Sequence, residues 1–218
     1  MRFVNGRSEV KRGQYYADHI FEMLGDYADN VVIAGGFARY MCSTDVEAEV
    51  VLPEDIDLFL LDETYYNEIT MALVEGLGRE AYFTTDRSMS FKPKATRFPK
   101  WEFVVQLITP RDEPTFVTYG TIDQILDCMD LTVCMIAVDS QFKVTESEPF
   151  CAHELEKWLK VHNSRNCPET IKRIIKYTGK GYSIDMIEIL KIMDQYALVD
   201  PGGRDSMAFE AVNHDGDS

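Results

Sequence analysis

The chain has no run approaching the ~20 apolar residues that a membrane-spanning helix requires, which excludes a helical membrane protein. Its first residues, Met1-Arg2-Phe3-Val4-Asn5-Gly6-Arg7, lack the apolar centre of a secretory signal. Cysteine is scarce: five residues, an odd number without framework spacing, exclude a disulfide scaffold and suit free thiols in a reducing compartment. Positive charge is short as well. Lys and Arg number 22 against 37 Asp and Glu, and the formal charge of −15 argues against wholesale binding along a nucleic-acid backbone. The expectation is a soluble cytoplasmic protein with no membrane partner.

Several chemistries are missing too. Gly179-Lys180-Gly181 is no P-loop, because the leading glycine, the spacing and the following Ser or Thr are absent. Cys151, His153, His162 and Cys167 are zinc-type residues, but no Cys-x-x-Cys knuckle accompanies them. No Ser-His-Asp or Cys-His arrangement stands out.

What is present is a pattern of alternating helices and strands. A hydrophobic share of 45% over 218 residues suffices for a core. Periodicity predicts a helix over 13–28, a strand over 31–34, a short helix from Gly35-Gly36 to Cys42 and a strand over 55–61. A helix over 64–77, strands at 80–85, 88–92 and 101–108, a helix over 122–128 and an apolar segment at 131–138 follow. Beyond Glu146, helical patterns dominate at 151–161, 168–178 and 183–196. This order predicts an α/β (α+β) fold: a mixed-sheet core over 1–147, a helical part over 148–200, and a flexible acidic tail over 201–218.

Two segments carry the chemistry. Val31-Val32-Ile33-Ala34 ends in Gly35-Gly36 at a helix start, where backbone N–H groups can meet a phosphate. The strand Asp55-Ile56-Asp57-Leu58-Phe59-Leu60 carries two aspartates at i and i+2, on one face and roughly 6–7 Å apart. Paired carboxylates among Ile, Leu and Phe are costly to desolvate without a compensating cation. Mg²⁺ or Mn²⁺ on Asp55 and Asp57, bridging to a phosphate at Gly35-Gly36, satisfies both segments.

The glycine pair followed by Asp55-Ile56-Asp57 resembles the signature of the polymerase-β-like nucleotidyltransferase superfamily, over roughly residues 30–140. Met129-Asp130-Leu131-Thr132-Val133-Cys134 and Lys176-Tyr177-Thr178-Gly179-Lys180-Gly181-Tyr182 resemble segments of nucleotidyltransferase-like proteins of tailed phages and large viruses, which implies a phage-encoded protein in the host cytoplasm. The resemblance implies that Asp55 and Asp57 are catalytic metal ligands and that Gly35 and Gly36 cradle a nucleoside triphosphate. Arg39, one turn into the helix, could reach the triphosphate. A third carboxylate is expected mid-strand near residue 106. Gln106 stands there and brings no charge. Glu102 is some 13 Å along the strand, and Asp130 is the other candidate. Lys92, Lys94, Lys172, Arg173 and Lys176 are candidate substrate contacts, against the plainer reading of solvated loop and helix faces.

Two functions follow. One is metal-dependent transfer of a nucleoside monophosphate (NMP) from a nucleoside triphosphate (NTP) to an acceptor hydroxyl on RNA, protein or a small molecule. The other is a catalytically degenerate binding protein on the same scaffold, acting through a protein partner.

Overall fold

The computed structural model describes residues 1–6, 8–43, 53–78, 83–93, 103–113, 116–164 and 166–199. In chain order the elements are β1 (Phe3–Asn5), α1 (Gln14–Leu24), β2 (Val31–Ala34), α2 (Gly36–Cys42), β3 (Asp55–Leu60), α3 (Tyr66–Leu77), β4 (Phe83–Thr84), β5 (Ser88–Phe91) and β6 (Val104–Ile108). After these come β7 (Asp112–Glu113), β8 (Phe116–Val117), α4 (Ile122–Asp127), β9 (Ile136–Val138), β10 (Val144–Ser147), α5 (Phe150–Leu155), β11 (Trp158–Leu159), α6 (Cys167–Thr178), β12 (Ser183–Ile184) and α7 (Met186–Val199). The predicted mixed α/β architecture holds.

Eight strands form one mixed sheet in the order β1-β10-β9-β2-β3-β6-β5-β4, with β3 and β6 parallel and every other neighbouring pair antiparallel. Alternation along β3 assigns its two faces. Ile56, Leu58 and Leu60 are fully buried and join Ile20, Leu24, Phe37, Ile69 and Leu73 of α1, α2 and α3 in the main core. Asp55, Asp57 and Phe59 point the other way. On that second face, α4 covers one end through Ile125 and Leu126 against Val32, Ala34 and Ala137.

Sequences with two competing signals diverge from expectation. The 151–161 segment divides into α5 and the short strand β11, because Trp158 and Leu159 pair in parallel with Ser183 and Ile184, a contact no local pattern announces. The apolar 131–138 segment begins as a 3-10 turn, Thr132–Cys134, before becoming β9. A separate cluster of Leu131, Val133, Leu159, Val161, Ile174, Tyr177, Tyr182 and Ile192 anchors α6 and α7 to this region. Lys94, Glu102 and the predicted tail lie outside the described residues.

Candidate functional site

The uncovered part of the second sheet face is a cleft of about 550 Å³, floored by β3 and β6 and roofed by α6. Gly35 closes the end of β2 with φ +74°, a conformation that favours glycine, and its N–H donates to the Ile136 carbonyl at 3.1 Å. A Cβ at Gly35 would stand 3.8 Å from Asp57 Oδ2, and one at Gly36 would stand 4.0 Å from the Tyr177 hydroxyl. The glycine pair thus leaves bare backbone facing an aspartate and a phenol. α2 has only seven residues, so its dipole is short; the open backbone matters more than the helix end.

Strand register builds the floor. Ala34 pairs with Asp57, Asp57 with Gln106, and Gln106 with Ser90. Gln106 therefore lies beside Asp57, one strand spacing away, where the resemblance led to the expectation of a third carboxylate. Burial, then the neighbouring Asp55 charge, pushes the Asp57 carboxyl up to about 7, while Arg173 and Lys176 pull it down. Two cations are thus insufficient compensation. Asp55, Asp57 and the Gln106 amide oxygen are the groups here that could hold a divalent ion, which prefers oxygen donors. Among the described residues no group of three or more His, Cys, Asp or Glu could hold a metal, so this donor set rests on two carboxylates.

The roof supplies positive charge. Arg173 donates to Asp130 Oδ2 at 2.7 Å, and Asp130 is buried on the cleft wall. Lys176 lies 3.6 Å from Glu54, just before the aspartate strand. Tyr177 lines the cleft with its hydroxyl 3.2 Å from the Cys134 thiol, and burial keeps that hydroxyl protonated. At the far end Arg87 meets Asn166. With the amide oxygen turned toward it, Asn166 accepts from both terminal guanidinium nitrogens at 2.8 and 3.0 Å. Arg111 binds the Asp86 carbonyl and, at 2.9 Å, its carboxylate, tying the β4–β5 turn to the end of β6. Phe59, Ile108, Ile125 and Met129 make this end apolar.

Gly35, Gly36, Asp55, Asp57, Gln106, Arg173 and Lys176 converge on this cleft. Three of the other predicted residues stand elsewhere. Arg39 is turned away: its guanidinium bonds Glu154 Oε1 at 3.2 Å and the Tyr182 hydroxyl at 2.8 Å, and lies over the Tyr177 and Tyr182 rings. Lys172 is exposed and pairs with Glu169, and Lys92 is exposed beyond β5. The zinc-type residues separate: His153 bonds Thr132, His162 bonds Asp127, Cys151 bonds Glu146 and Cys167 bonds the Ser164 carbonyl. Arg87, Arg111, Asn166 and Tyr177 were not anticipated as site residues. Arg87 and Arg111 lie in the same basic stretch of sequence as the candidates Lys92 and Lys94.

A model of the Gabija anti-defense 2 family matches residues 11–157. No curated protein sequence matches the chain. Among solved structures, the fold is similar to a tRNA-processing enzyme in an apo form (TM-score 0.60, 14% identity), with 88% of this chain and 49% of that chain covered. It is similar to the Thermotoga maritima CCA-adding enzyme complexed with tRNA (TM-score 0.59, 15% identity, 91% and 47% covered). A CCA-adding enzyme in complex with ATP also matches (TM-score 0.55, 16% identity, 92% and 46% covered). The chain spans about half the length of these enzymes. The likeness establishes a nucleotidyltransferase-like fold, as the resemblance implied.

Proposed function

The chain belongs to the Gabija anti-defense 2 family, and we propose that its cleft binds a nucleoside triphosphate and transfers the NMP to an acceptor hydroxyl, in the service of blocking a Gabija defence system. The observation that carries this reading is the Asp55–Asp57 pair facing bare glycine backbone, with Asp57 held so far from its ordinary range that the site favours a divalent cation. Asp55 and Asp57 are the residues that would hold the ion, which when bound supplies positive charge to the phosphate oxygens.

The chain's own groups do the rest. Gly35-Gly36 let phosphates approach the main chain, and the Tyr177 hydroxyl stands beside them as a donor. Arg173 and Lys176 neutralise charge from the roof. The apolar end at Phe59, Ile108 and Met129 suits the nucleoside, with Arg87 and Asn166 beyond it. The acceptor hydroxyl gives up its proton to water, its oxygen attacks the α-phosphorus in line, the bond to the β-phosphate breaks, and pyrophosphate leaves. Structural neighbours crystallised with ATP and CTP support the choice of substrate class. The anti-defence family favours a protein acceptor over RNA, in keeping with the acidic composition.

A second reading, nucleotide-fold binding without chemistry, is favoured by Gln106, which can neither carry charge to a second ion nor take the acceptor's proton. One experiment separates the two. Each of four α-labelled NTPs is offered with Mg²⁺ or Mn²⁺, Gabija proteins and total RNA as acceptors, beside the Asp55→Ala, Asp57→Ala double variant. Labelled product, reduced more than about 10³-fold in the variant, is the expected result. Folded protein that labels nothing, yet still blocks Gabija in both forms, would leave the binding reading.

A further inference from the structure

α7 is apolar on two faces: Ile192, with Ile189 and Tyr196 beside it, packs into the buried cluster it shares with α6. Its Glu188 is 2% exposed, where Oε2 accepts from the Val161 N–H at 2.9 Å and Oε1 from Lys191 Nζ at 2.7 Å. Four other large apolar side chains point outward: Met186, Ile187, Leu190 and Met193 are 72%, 61%, 49% and 60% exposed. On α6, which packs against α7, Ile171 and Ile175 stand one turn apart and are 45% and 65% exposed. A surface helix ordinarily turns its apolar stripe to the core and its carboxylates to water. α6 and α7 keep such a buried stripe and carry a second, outward apolar set, while the cleft-lining residues of α6 are the separate set Glu169, Thr170, Arg173, Lys176 and Tyr177.

We propose that the α6–α7 face is a dimer interface, occupied by a second copy of the same chain packed α7 against α7 about a two-fold axis. Six large side chains, each about half exposed, offer roughly 600 Å² per copy, so pairing would bury about 1,200 Å², the lower bound for a stable interface. An apolar area of roughly 600 Å² is at the upper end of what monomers leave open. Exposed charges of both signs neighbour these side chains in sequence: Lys172 and Lys191, paired with Glu169 and Glu188, and Asp185 and Asp194. An isologous contact places each such charge opposite the same surface of the second copy. The cleft stays open, since none of the six side chains lines it.

The occupant can be identified by salt. Two copies each carrying −15 repel at long range, so screening strengthens the dimer. A basic foreign partner would bind more weakly under the same change. The test is sedimentation velocity of the full chain from 1 to 100 µM in low and high NaCl. A concentration-dependent dimer, at least a few-fold tighter in high salt, is expected. Ile187→Lys combined with Leu190→Lys should weaken it more than tenfold with unchanged far-UV circular dichroism; Met193→Lys alone should weaken it less. A wild-type chain that stays monomeric throughout overturns the proposal, and assigns the face to another protein or to chain beyond Val199. A dimer that survives the double substitution overturns it equally.

Discussion

The two walls of the cleft are built by opposite means. The strand wall is negative and set by backbone register: Ala34, Asp57, Gln106 and Ser90 fall in one row because four strands hydrogen-bond side by side. The helix wall is positive and set by side chains reaching across space: Arg173 to Asp130, Lys176 to Glu54, Arg87 to Asn166. Register permits no gradual change, since a one-residue slip would turn both aspartates into the core. Side-chain pairs can be exchanged one at a time. Under the proposed function, reaction chemistry would belong to the strand wall and adjustment to a particular substrate to the helix wall.

Removing cations from the cleft tests that division hardest. Arg173→Ala leaves the buried Asp130 without its partner and should cost about 1–3 kcal/mol of stability, read as a lower denaturant midpoint, in addition to weaker NTP binding. Arg87→Ala, whose partner is a neutral amide, should weaken NTP binding about tenfold, ~1.4 kcal/mol, with little change in stability. Equal stability losses in the two variants would erase the distinction between them.

The strand wall is tested by pH. Because the folded-state carboxyl of Asp57 titrates near 7, above its ordinary value of 3.8, the folded protein holds a proton that the unfolded chain releases. Its contribution to stability is present below the unfolded value and lost as pH rises through 7. Asp57→Asn should accordingly raise the melting temperature of metal-free protein by a few degrees at pH 8 and leave it nearly unchanged at pH 4. Mg²⁺ or Mn²⁺ should stabilise the wild type at pH 8 and the variant far less. A variant less stable at pH 8 would show that the carboxylate is already satisfied without an ion.

The smallest effect is expected where the walls meet. Tyr177→Phe removes one hydroxyl beside Gly36 and leaves the ring packed on Tyr182. A few-fold rise in KM for NTP with kcat unchanged is the anticipated outcome. A loss in kcat alone would move the hydroxyl into the transition state.

The same contrast explains what could be read from the residues. The strand wall was legible because alternation is local: Asp55, Asp57 and, on the same rule, Phe59 share a face, and counting along 103–108 reached Gln106. The helix wall was only half legible. Arg173 and Lys176 stood out as basic positions on a helix, but their partners lie 43 and 122 residues away in sequence. Arg39 misled for the same reason. One turn past Gly36 it had the reach for a phosphate, yet Glu154 and Tyr182, more than a hundred residues on, claim it. Asp130, the other candidate for a third carboxylate, is ion-paired to Arg173 on the cleft wall, and Glu188, an ordinary helix glutamate by sequence, is buried.

The Arg39 cluster gives the cleft a direction. At the glycine end, the guanidinium is locked between Glu154, Tyr177 and Tyr182, so the last turn of α6 is fastened to α2 by buried contacts. At the opposite end, about 16 Å along the helix, the roof meets the β4–β5 turn through Arg87 and Asn166. One end is fastened by several buried contacts and the other by a polar pair. On the proposed reading, an NTP would lie with its triphosphate at the fastened end, by the glycines and aspartates, and its nucleoside toward Arg87.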